Sequence, residues 1–297
     1  VISGWIPTKD LNRLNQVLKK SLGENFIIYD RSRFVNKRDI PVLLDNPRSL
    51  KPYELLLRLL SPPRYGTMDA TSLLSLFFPL FFGLIVGDIG YGLIFLAISL
   101  CLRKSPKFFI HSIGSILFAV SLSTIFFGFL YGELFGNLGK DYFKLPHILF
   151  NRHESIIPFL ILAVSVGVFH IVLGFLLGII ESLRKRHKKE VVEKIAVLGG
   201  LAGLFLLVAS IMKILPSGFL PLSIVLLVVV TILLIFLRGF IGPLEAISAV
   251  ANILSYARIM ALGLAGVMMA SIANHIGGLP ENIFIGVILA SLLHALN

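Results

Sequence analysis

Long apolar stretches, separated by short polar and charged segments, make up most of the chain after residue 70. They fall near residues 71–102, 108–135, 156–182, 191–213, 219–238, 243–275 and from 282 onward. A helix needs about 20 apolar residues to cross a hydrocarbon core of roughly 30 Å. The pattern therefore predicts an all-α polytopic membrane domain over residues 67–297.

The first apolar stretch contains a glycine-rich interruption, Gly87-Asp88-Ile89-Gly90-Tyr91-Gly92. Residues 71–102 form either one helix of about 45 Å or two short helices, near 71–86 and 90–102, that fold back at the glycines. With one crossing, loops holding ten Lys and Arg lie outside and loops holding four lie inside; with two crossings the tally is reversed. The positive-inside rule favours two crossings. This gives about eight segments, the last one truncated at Asn297.

Residues 1–66 differ in composition from the rest of the chain. They carry 12 Lys and Arg against 6 Asp and Glu, and they contain no stretch apolar enough to span a membrane. Apolar residues at helical spacing from Leu11 to Leu22 predict a helix with Gly23 as its C-cap. Phe26–Tyr29 has the pattern of a short strand, and Tyr53–Leu60 that of a helix stopped by Pro62 and Pro63. We expect the end of a cytoplasmic α/β domain. Since the chain begins at Val1 and ends inside an apolar run, we also expect a piece of a longer protein.

Composition supports the membrane assignment and narrows the chemistry. The chain is 56% hydrophobic and 14% charged, with a mean hydropathy of +0.91. Basic residues cluster between the apolar stretches, as the positive-inside rule predicts for cytoplasmic loops, so the net charge of +11 does not indicate a nucleic acid partner. A single cysteine, Cys101, excludes an internal disulfide. Without a phosphate loop, a metal-spaced histidine pair, a nucleophile elbow or a CxxC motif, we expect no catalytic residue, metal or cofactor.

One fixed charge, Arg258, interrupts a largely apolar run from Ile247 to Ala273 that contains no other charged residue. A guanidinium cannot shed its proton in lipid, and placing it at mid-bilayer costs about 2.5–3.5 kcal/mol on insertion scales. Four polar residues precede it at helical spacing and share its face: Glu245, Ser248, Asn252 and Ser255. A polar track thus leads from one membrane surface to a single cation midway. The alternatives are a polar seam between helices, or an arginine that snorkels to the interface.

Other polar residues within or beside the apolar stretches have a structural and a functional interpretation. Asp88 is either a turn residue between glycines or part of a water-filled cavity. The two-crossing topology places Asp88 near the outer side of the membrane. Glu133, at the end of the third segment, lies on that same side. On the fourth segment, His170 and Glu181 share a face with Gly167, and His170 is either a packing residue or a proton carrier. The partner of Arg258 is Glu245 through water, a carboxylate on another segment, or one on another subunit.

The motifs resemble those of subunit a, also called subunit I, of the V/A-type rotary ATPases. They are Gly4-Trp5-Ile6-Pro7, Pro62-Pro63-Arg64-Tyr65-Gly66, Phe81-Phe82-Gly83 followed by the glycine run, and above all Asn252 with Ser255-Tyr256-Ala257-Arg258 and Ala261-Leu262. The resemblance covers essentially the whole chain. It implies a cytoplasmic N-terminal domain followed by eight membrane helices, and a prokaryotic cell membrane as the location.

By this resemblance, Arg258 is the stator arginine that faces the carboxylates of a rotor proteolipid c/K ring. It would favour the ionised carboxylate, release the ion into one half-channel and block leakage between two half-channels. Glu245, Ser248, Asn252 and Ser255 would line the cytoplasmic half-channel and Asp88 the outer one. The resemblance further implies peripheral-stalk subunits bound to the cytoplasmic domain, and a central stalk and catalytic headpiece reached indirectly. The ion is a proton or a sodium ion.

Two departures from the family pattern concern the outer half-channel. A second arginine, usual in the last helix, would lie beyond Asn297, and His294 and Asn297 approach that region. A histidine found two turns after the stator arginine in eukaryotic relatives is Gly266 here.

Two other classes of function remain as alternatives: a secondary transporter with a midplane anion site at Arg258, and a membrane anchor or scaffold. The former usually has broken helices in both halves, and only one break is evident here.

Overall fold

The computed structural model describes residues 2–31, 35–36, 39–60 and 63–297. Within these ranges the regular structure is helical, with one isolated β-bridge between Leu134 and Asn137 and no strand. The predicted all-α polytopic fold is therefore confirmed. The chain forms two compact units, Val1–Ser72 and Leu73–Asn297, each described here by itself.

Among its described residues, the first unit contains two short α-helices, each preceded by a 3₁₀ turn. A 3₁₀ turn, Thr8–Asp10, leads into α1 (Leu11–Leu22), which ends at Gly23 with φ of 64°, as the sequence predicts. A second 3₁₀ turn, Lys51–Tyr53, leads into α2 (Glu54–Leu60). The predicted stop at Pro62 lies outside the described residues.

The predicted strand over Phe26–Tyr29 is wrong. This segment has no regular secondary structure, and Ile27 and Tyr29 are strongly exposed. A strand is stabilised by backbone hydrogen bonds to a neighbouring strand. None of the described residues of this unit supplies such a neighbour, so the apolar pattern alone does not produce a strand.

Ten α-helices follow in the continuously described range 63–297. They are α3 (Thr71–Val86), α4 (Ile89–Leu102), α5 (Phe108–Tyr131), α6 (Leu138–Phe143), α7 (Ile156–Arg184), α8 (Lys188–Ile211), α9 (Phe219–Arg238), α10 (Ile241–Ser255), α11 (Ala257–Gly277) and α12 (Ile283–Leu296). With α10 and α11 taken as one span, five helices of the described chain are long and apolar enough to cross a membrane. Helices α3, α4 and α12 are apolar but shorter.

The chain reverses direction between α3 and α4. The rings of Phe82 and Phe95 are 5.9 Å apart, whereas thirteen residues of straight helix would separate them by about 20 Å. Gly83 of α3 and Gly92 of α4 also lie against neighbouring positions on α5. A Cβ at Gly83 would lie 2.8 Å from the backbone of Ser123, and one at Gly92 would lie 2.6 Å from Ile125. The two short helices thus fold back against α5, which runs antiparallel to α4.

Two buried clusters hold the second unit together. The first joins α3, α5, α7 and α11 through Leu84, Phe127, Tyr131, Ala163 and Ile259. The second joins α8, α9 and α10 through Ala196, Val197, Val230, Leu234 and Ala249. Most remaining large apolar side chains are exposed, as expected for helices that face lipid or other subunits.

Candidate functional site

Arg258 lies directly after an interruption between α10 and α11. The sequence pattern predicted one continuous helix over 243–275, but α10 ends at Ser255 and α11 begins at Ala257. The Arg258 side chain is exposed, and its Nε donates a hydrogen bond to the carbonyl of Ser255 at 3.1 Å. Within the described chain it has no carboxylate partner. The guanidinium is therefore available to a group outside this chain.

The predicted polar track lies on a face of α10 that the described chain leaves open. Ser248 and Asn252 are exposed, and Ser255 and Glu245 are partly exposed. The opposite face of the helix is buried against α8 and α9 through residues such as Ala249. The shared face inferred from helical spacing is thus present, and it ends at Arg258.

Three charged side chains meet at the beginning of this track. Arg238, at the end of α9, lies between two carboxylates: its Nε is 2.6 Å from Glu193 of α8, and its Nη1 is 3.4 Å from Glu245 of α10. The Glu193 side chain is 4% exposed. Sequence analysis missed Glu193, because the pairing joins three helices and leaves no local signal. Glu245 is thus bound to Arg238, thirteen residues before Arg258.

Glu181 lies apart from this group. It forms an ion pair with Lys185 one turn later on its own helix, at 2.5 Å, and both side chains are partly exposed. Such exposed i,i+4 pairs contribute a few tenths of a kcal/mol. The structure gives Glu181 no contact with the polar track.

A second polar cluster joins α4, α11 and α12 on the other side of Arg258. Tyr91 is hydrogen-bonded to His294 at 2.7 Å and accepts from the Asn297 side chain at 2.8 Å. The other ring nitrogen of His294 contacts the Asn274 side chain at 2.9 Å. Asn297 also donates to the carbonyl of Gly266 at 3.1 Å. His294 and Asn297, which sequence analysis selected, are therefore brought together with Tyr91 and Asn274, which it did not.

Asp88 lies beside this cluster, but its carboxylate is fully engaged. It is 2% exposed and accepts hydrogen bonds from four backbone N–H groups, those of Gly90, Tyr91, Phe135 and Gly136, at 2.7–3.1 Å. Two of them are at the start of α4 and two are in the loop after α5. Asp88 thus caps α4 and ties this loop to it, which is the turn role considered from the sequence.

Glu133 forms a buried ion pair with Arg152. The two side chains are 6% and 0% exposed, and the guanidinium donates to both carboxylate oxygens. Arg152 also donates to the carbonyls of Ile85, Val86 and Gly87 at 2.8–3.1 Å, where α3 ends. Its cation lies 4.4 Å from the centre of the Tyr131 ring. Sequence analysis counted Arg152 only as a loop charge and missed this role.

A cavity of about 260 Å³ lies next to this ion pair. Its lining is largely polar or charged and includes Glu133, Asn137, His147, Asn151 and Ser271. His147 contacts the Tyr131 carbonyl through Nδ1 at 2.5 Å, while its buried Nε2 has no protein partner. In the described residues no group of three or more His, Cys, Asp or Glu side chains is placed to hold a metal ion.

His170 on α7 contacts the interruption before Arg258. Its Nδ1 is hydrogen-bonded to the Tyr256 hydroxyl, and its ring packs against Phe77 and Phe81 of α3. Gly167, one turn earlier, faces the Tyr256 ring. His170 is therefore close to the candidate site, with an aromatic environment on its other sides.

The geometry thus presents two polar clusters with one cation between them. From Arg258, the track on α10 leads one way to Glu245, and Gly266 lies eight residues the other way, about 12 Å along the helix. The intervening residues of α11 are apolar or glycine, for example Ile259, Leu262 and Gly263. Arg258 would attract an anionic group that lies between the two clusters.

Comparisons with known proteins give a consistent result. Subunit I of the A-type ATP synthase of Methanothermobacter thermautotrophicus is 28% identical over 302 residues, covering 99% of this chain and 44% of the relative. The same subunit of Pyrococcus horikoshii is 29% identical, covering 91% of this chain and 42% of the relative. A V-type ATP synthase subunit I of Borreliella burgdorferi is 27% identical, covering 79% and 44%. No family model matches the chain.

This chain spans less than half the length of each of these relatives. The match nevertheless extends over nearly all of the chain, and the relatives share one printed role as subunit I. The resemblance inferred from the motifs is thereby confirmed. The chain is an integral membrane protein, and it is similar over most of its length to subunit I of the A-type and V-type ATP synthases.

Proposed function

We propose that this chain is the ion-translocating part of a stator subunit in a V/A-type rotary ATPase of a prokaryotic cell membrane. It performs no catalysis itself. Residues 67–297 form the membrane domain, with about eight segments, and residues 1–66 are the end of a cytoplasmic domain that binds peripheral-stalk subunits. The observation that carries the proposal is the open position of Arg258 between two polar clusters.

The partner of Arg258 is a carboxylate on a rotor proteolipid ring. Among the described residues Arg258 has no acidic partner, and an exposed guanidinium in an apolar surround is stabilised by an opposite charge from another subunit. The guanidinium favours the ionised form of a carboxylate that comes within about 4–6 Å. The ring carboxylate releases its proton or sodium ion there, and takes up another after it has passed.

The track on α10 forms the cytoplasmic half-channel. It begins at the Glu193–Arg238–Glu245 group, whose formal charge is negative because it contains two carboxylates and one guanidinium. A negative group attracts the transported cation to the membrane surface. Ser248, Asn252 and Ser255 then provide polar side chains up to Arg258.

The cluster around Tyr91 and His294 forms the outer half-channel. Tyr91, His294 and Asn274 are linked by hydrogen bonds at 2.7–2.9 Å, which can form a path for protons. Asp88 supports this path by fixing the start of α4, since its own carboxylate is occupied by four backbone donors. The fixed charge of Arg258 blocks cations from passing directly between the two half-channels.

The replacement Arg258→Ala tests the function. In the complete complex reconstituted into vesicles, it should abolish ATP-driven ion transport while the subunits still assemble. Arg186→Ala, which removes a charge from an exposed loop, is the matched control and should transport normally. Ion transport by the Arg258→Ala complex, at a rate similar to the control, would overturn the proposal.

A further inference from the structure

The hydrogen-bond pattern of the backbone changes at Tyr256. Its N–H donates to the carbonyl of Ile253, three residues back, at 3.0 Å, and its carbonyl accepts from Ile259, three residues on, at 2.9 Å. An α-helix instead joins residues four apart, and a run of three-residue bonds tightens the turn. The chain has neither proline nor glycine between Asn252 and Leu262, so the two residue types that most often interrupt a helix are absent here.

In the tightened turn, two backbone carbonyls accept hydrogen bonds from side chains instead of from backbone N–H groups. The carbonyl of Asn252 accepts from the Ser255 hydroxyl at 2.7 Å, and that of Ser255 accepts from Nε of Arg258 at 3.1 Å. In a regular helix the first would accept the N–H of Tyr256 and the second that of Ile259. The interruption therefore provides the acceptor that holds Arg258.

This bond determines which part of the guanidinium is presented to a partner. Nε is engaged by the backbone, while no contact within the described chain engages Nη1 or Nη2. The group is planar and its N–H donors have a fixed arrangement, so anchoring Nε restricts the direction of the remaining two nitrogens. Those two are the pair that can donate side by side to one carboxylate.

Helix α7 supplies the contacts that hold Tyr256. The Tyr256 hydroxyl is hydrogen-bonded to Nδ1 of His170, and the ring lies against Gly167, where an added Cβ would be 2.6 Å from its Cγ. Phe81 of α3 packs edge-on against the same ring, with centroids 5.7 Å apart. Tyr256 is thus fixed from two neighbouring helices, at the hydroxyl and at the ring.

We propose that Tyr256 is a positioning residue for Arg258, with Gly167 and His170 of α7 as its supports. Through Tyr256, α7 maintains the interruption between α10 and α11, and the interruption orients the guanidinium by way of the Ser255 carbonyl. The inference rests on the proposed function, because it concerns how well Arg258 meets a ring carboxylate. It assigns to α7 a role in coupling, although α7 contributes no side chain that touches the ion.

Replacing Gly167 by alanine tests the ring contact. The added methyl would displace Tyr256, so we expect several-fold fewer ions transported per ATP hydrolysed, in complete complexes that contain a normal amount of this subunit. Gly174→Ala is a matched control on the same helix, since a Cβ at Gly174 meets nothing within 4 Å. A loss of packing alone would reduce the yield of assembled complex and leave the transport ratio of the remaining complexes unchanged.

The hydrogen bond between the Tyr256 hydroxyl and His170 is tested separately, by substitutions that do not add a methyl group at Gly167. Tyr256→Phe keeps the ring and removes the bond to His170, and should lower the transport ratio in the same direction. His170→Asn retains a polar atom near the Nδ1 position and should transport better than His170→Leu. Equal ratios for these two variants, or a wild-type ratio for Tyr256→Phe, would contradict the role of the hydroxyl contact.

The combined results separate this inference from the proposed function. If Arg258→Ala abolishes transport while Gly167→Ala matches Gly174→Ala and Tyr256→Phe matches the wild type, the positioning role is wrong and the stator function stands. If Arg258→Ala transports normally, the stator function itself is wrong. If Gly167→Ala and Tyr256→Phe both lower the ratio and the control does not, the positioning role is supported.

Discussion

Arg152 and Arg258 carry the same guanidinium group, but the fold gives them opposite surroundings. Arg152 is 0% exposed and donates to one carboxylate and three carbonyls, so its hydrogen-bonding capacity is used within the chain. Arg258 is exposed and has one backbone acceptor. A guanidinium whose donors are all satisfied holds a structure together, and one with free donors can bind a partner. This contrast assigns a structural role to Arg152, and it agrees with the role proposed for Arg258.

The same contrast shows what local sequence could predict about single residues. Arg258 was selected as a candidate because it is the one charge in a long run that is otherwise uncharged, and that signal needs no tertiary structure. Arg152 lies in a polar segment, where an arginine is ordinarily solvated. Its burial depends on the chain returning to the end of α3, more than 60 residues earlier. A contact between residues so far apart in the chain produces no periodic pattern in the local sequence.

Replacing Arg152 by lysine should destabilise the protein strongly. Lysine keeps the charge but cannot donate simultaneously to Glu133 and to the carbonyls of Ile85, Val86 and Gly87. Breaking a buried ion pair costs about 3–5 kcal/mol, and a lysine that pairs imperfectly should lose a large part of this. The measurement is the thermal unfolding midpoint of the detergent-solubilised protein.

The exposed ion pair between Lys140 and Glu154, 3.3 Å long, provides the control for this variant. Lys140→Ala should change the unfolding free energy by less than about 1 kcal/mol, because solvent screens exposed pairs. If Arg152→Lys unfolds at the same temperature as Lys140→Ala, the buried contacts of Arg152 do not stabilise the end of α3 in the way described here.

Replacing Glu245 by glutamine should slow ion transport without stopping it. Glutamine can still accept a hydrogen bond from Arg238, but it cannot bear a charge or exchange a proton. Positioned acid–base groups typically contribute about 10²- to 10⁴-fold, and Glu193 remains beside Arg238, so we expect a loss of about tenfold. The measurement is ATP-driven transport by the assembled complex over a range of pH.

Glu181→Gln is the control, since Glu181 pairs with Lys185 and has no contact with the track. It should transport at the wild-type rate. Wild-type rates for Glu245→Gln at every pH would remove this residue from the cytoplasmic half-channel, while leaving the role of Arg258 unaffected.

At the scale of helices, the sequence predicted the break in the first apolar stretch but not the one beside Arg258. The break after Val86 has a local cause: Gly87 adopts a φ of 41°, which is unfavourable for other residues, and Asp88 caps the next helix. The interruption at Tyr256 contains neither glycine nor proline, and its local contacts include the hydrogen bond from the Ser255 hydroxyl to the Asn252 carbonyl. The contacts that hold the Tyr256 side chain come from α7 and α3, and a pattern within one helix cannot reveal what another helix imposes.

Close packing at the reversal explains why glycine recurs in these short helices. Gly128 of α5 faces the reversal, where an added Cβ would be 2.5 Å from the backbone nitrogen of Ile89. Small residues allow membrane helices to approach closely, since lipid offers little hydrophobic driving force between them. The glycine motif that is part of the resemblance thus has a physical basis: it allows two helices of 16 and 14 residues to lie against α5.

At the scale of the whole molecule, the structure shows which of the loop charges used to argue the orientation are exposed. Of the four basic residues assigned to the outer loops, Arg152 is buried and neutralised by Glu133, so three remain as solvated charges. The ten basic residues assigned to the cytoplasmic loops include the exposed segment 184–189. The excess of exposed basic residues stays on the side of residues 184–189, and the positive-inside rule favours a cytoplasmic location for them.

Labelling of single cysteines from one side of the membrane tests this orientation. In a Cys101→Ser background, Arg186→Cys and Tyr142→Cys introduce thiols at two exposed positions, one on each side of α7. A membrane-impermeant maleimide added to right-side-out vesicles should label position 142 and not 186, and inverted vesicles should give the opposite result. A single crossing by residues 71–102 would reverse both results, because every later loop would exchange sides. The reversed pattern would therefore place the Glu193–Arg238–Glu245 group outside the cell and exchange the two proposed half-channels.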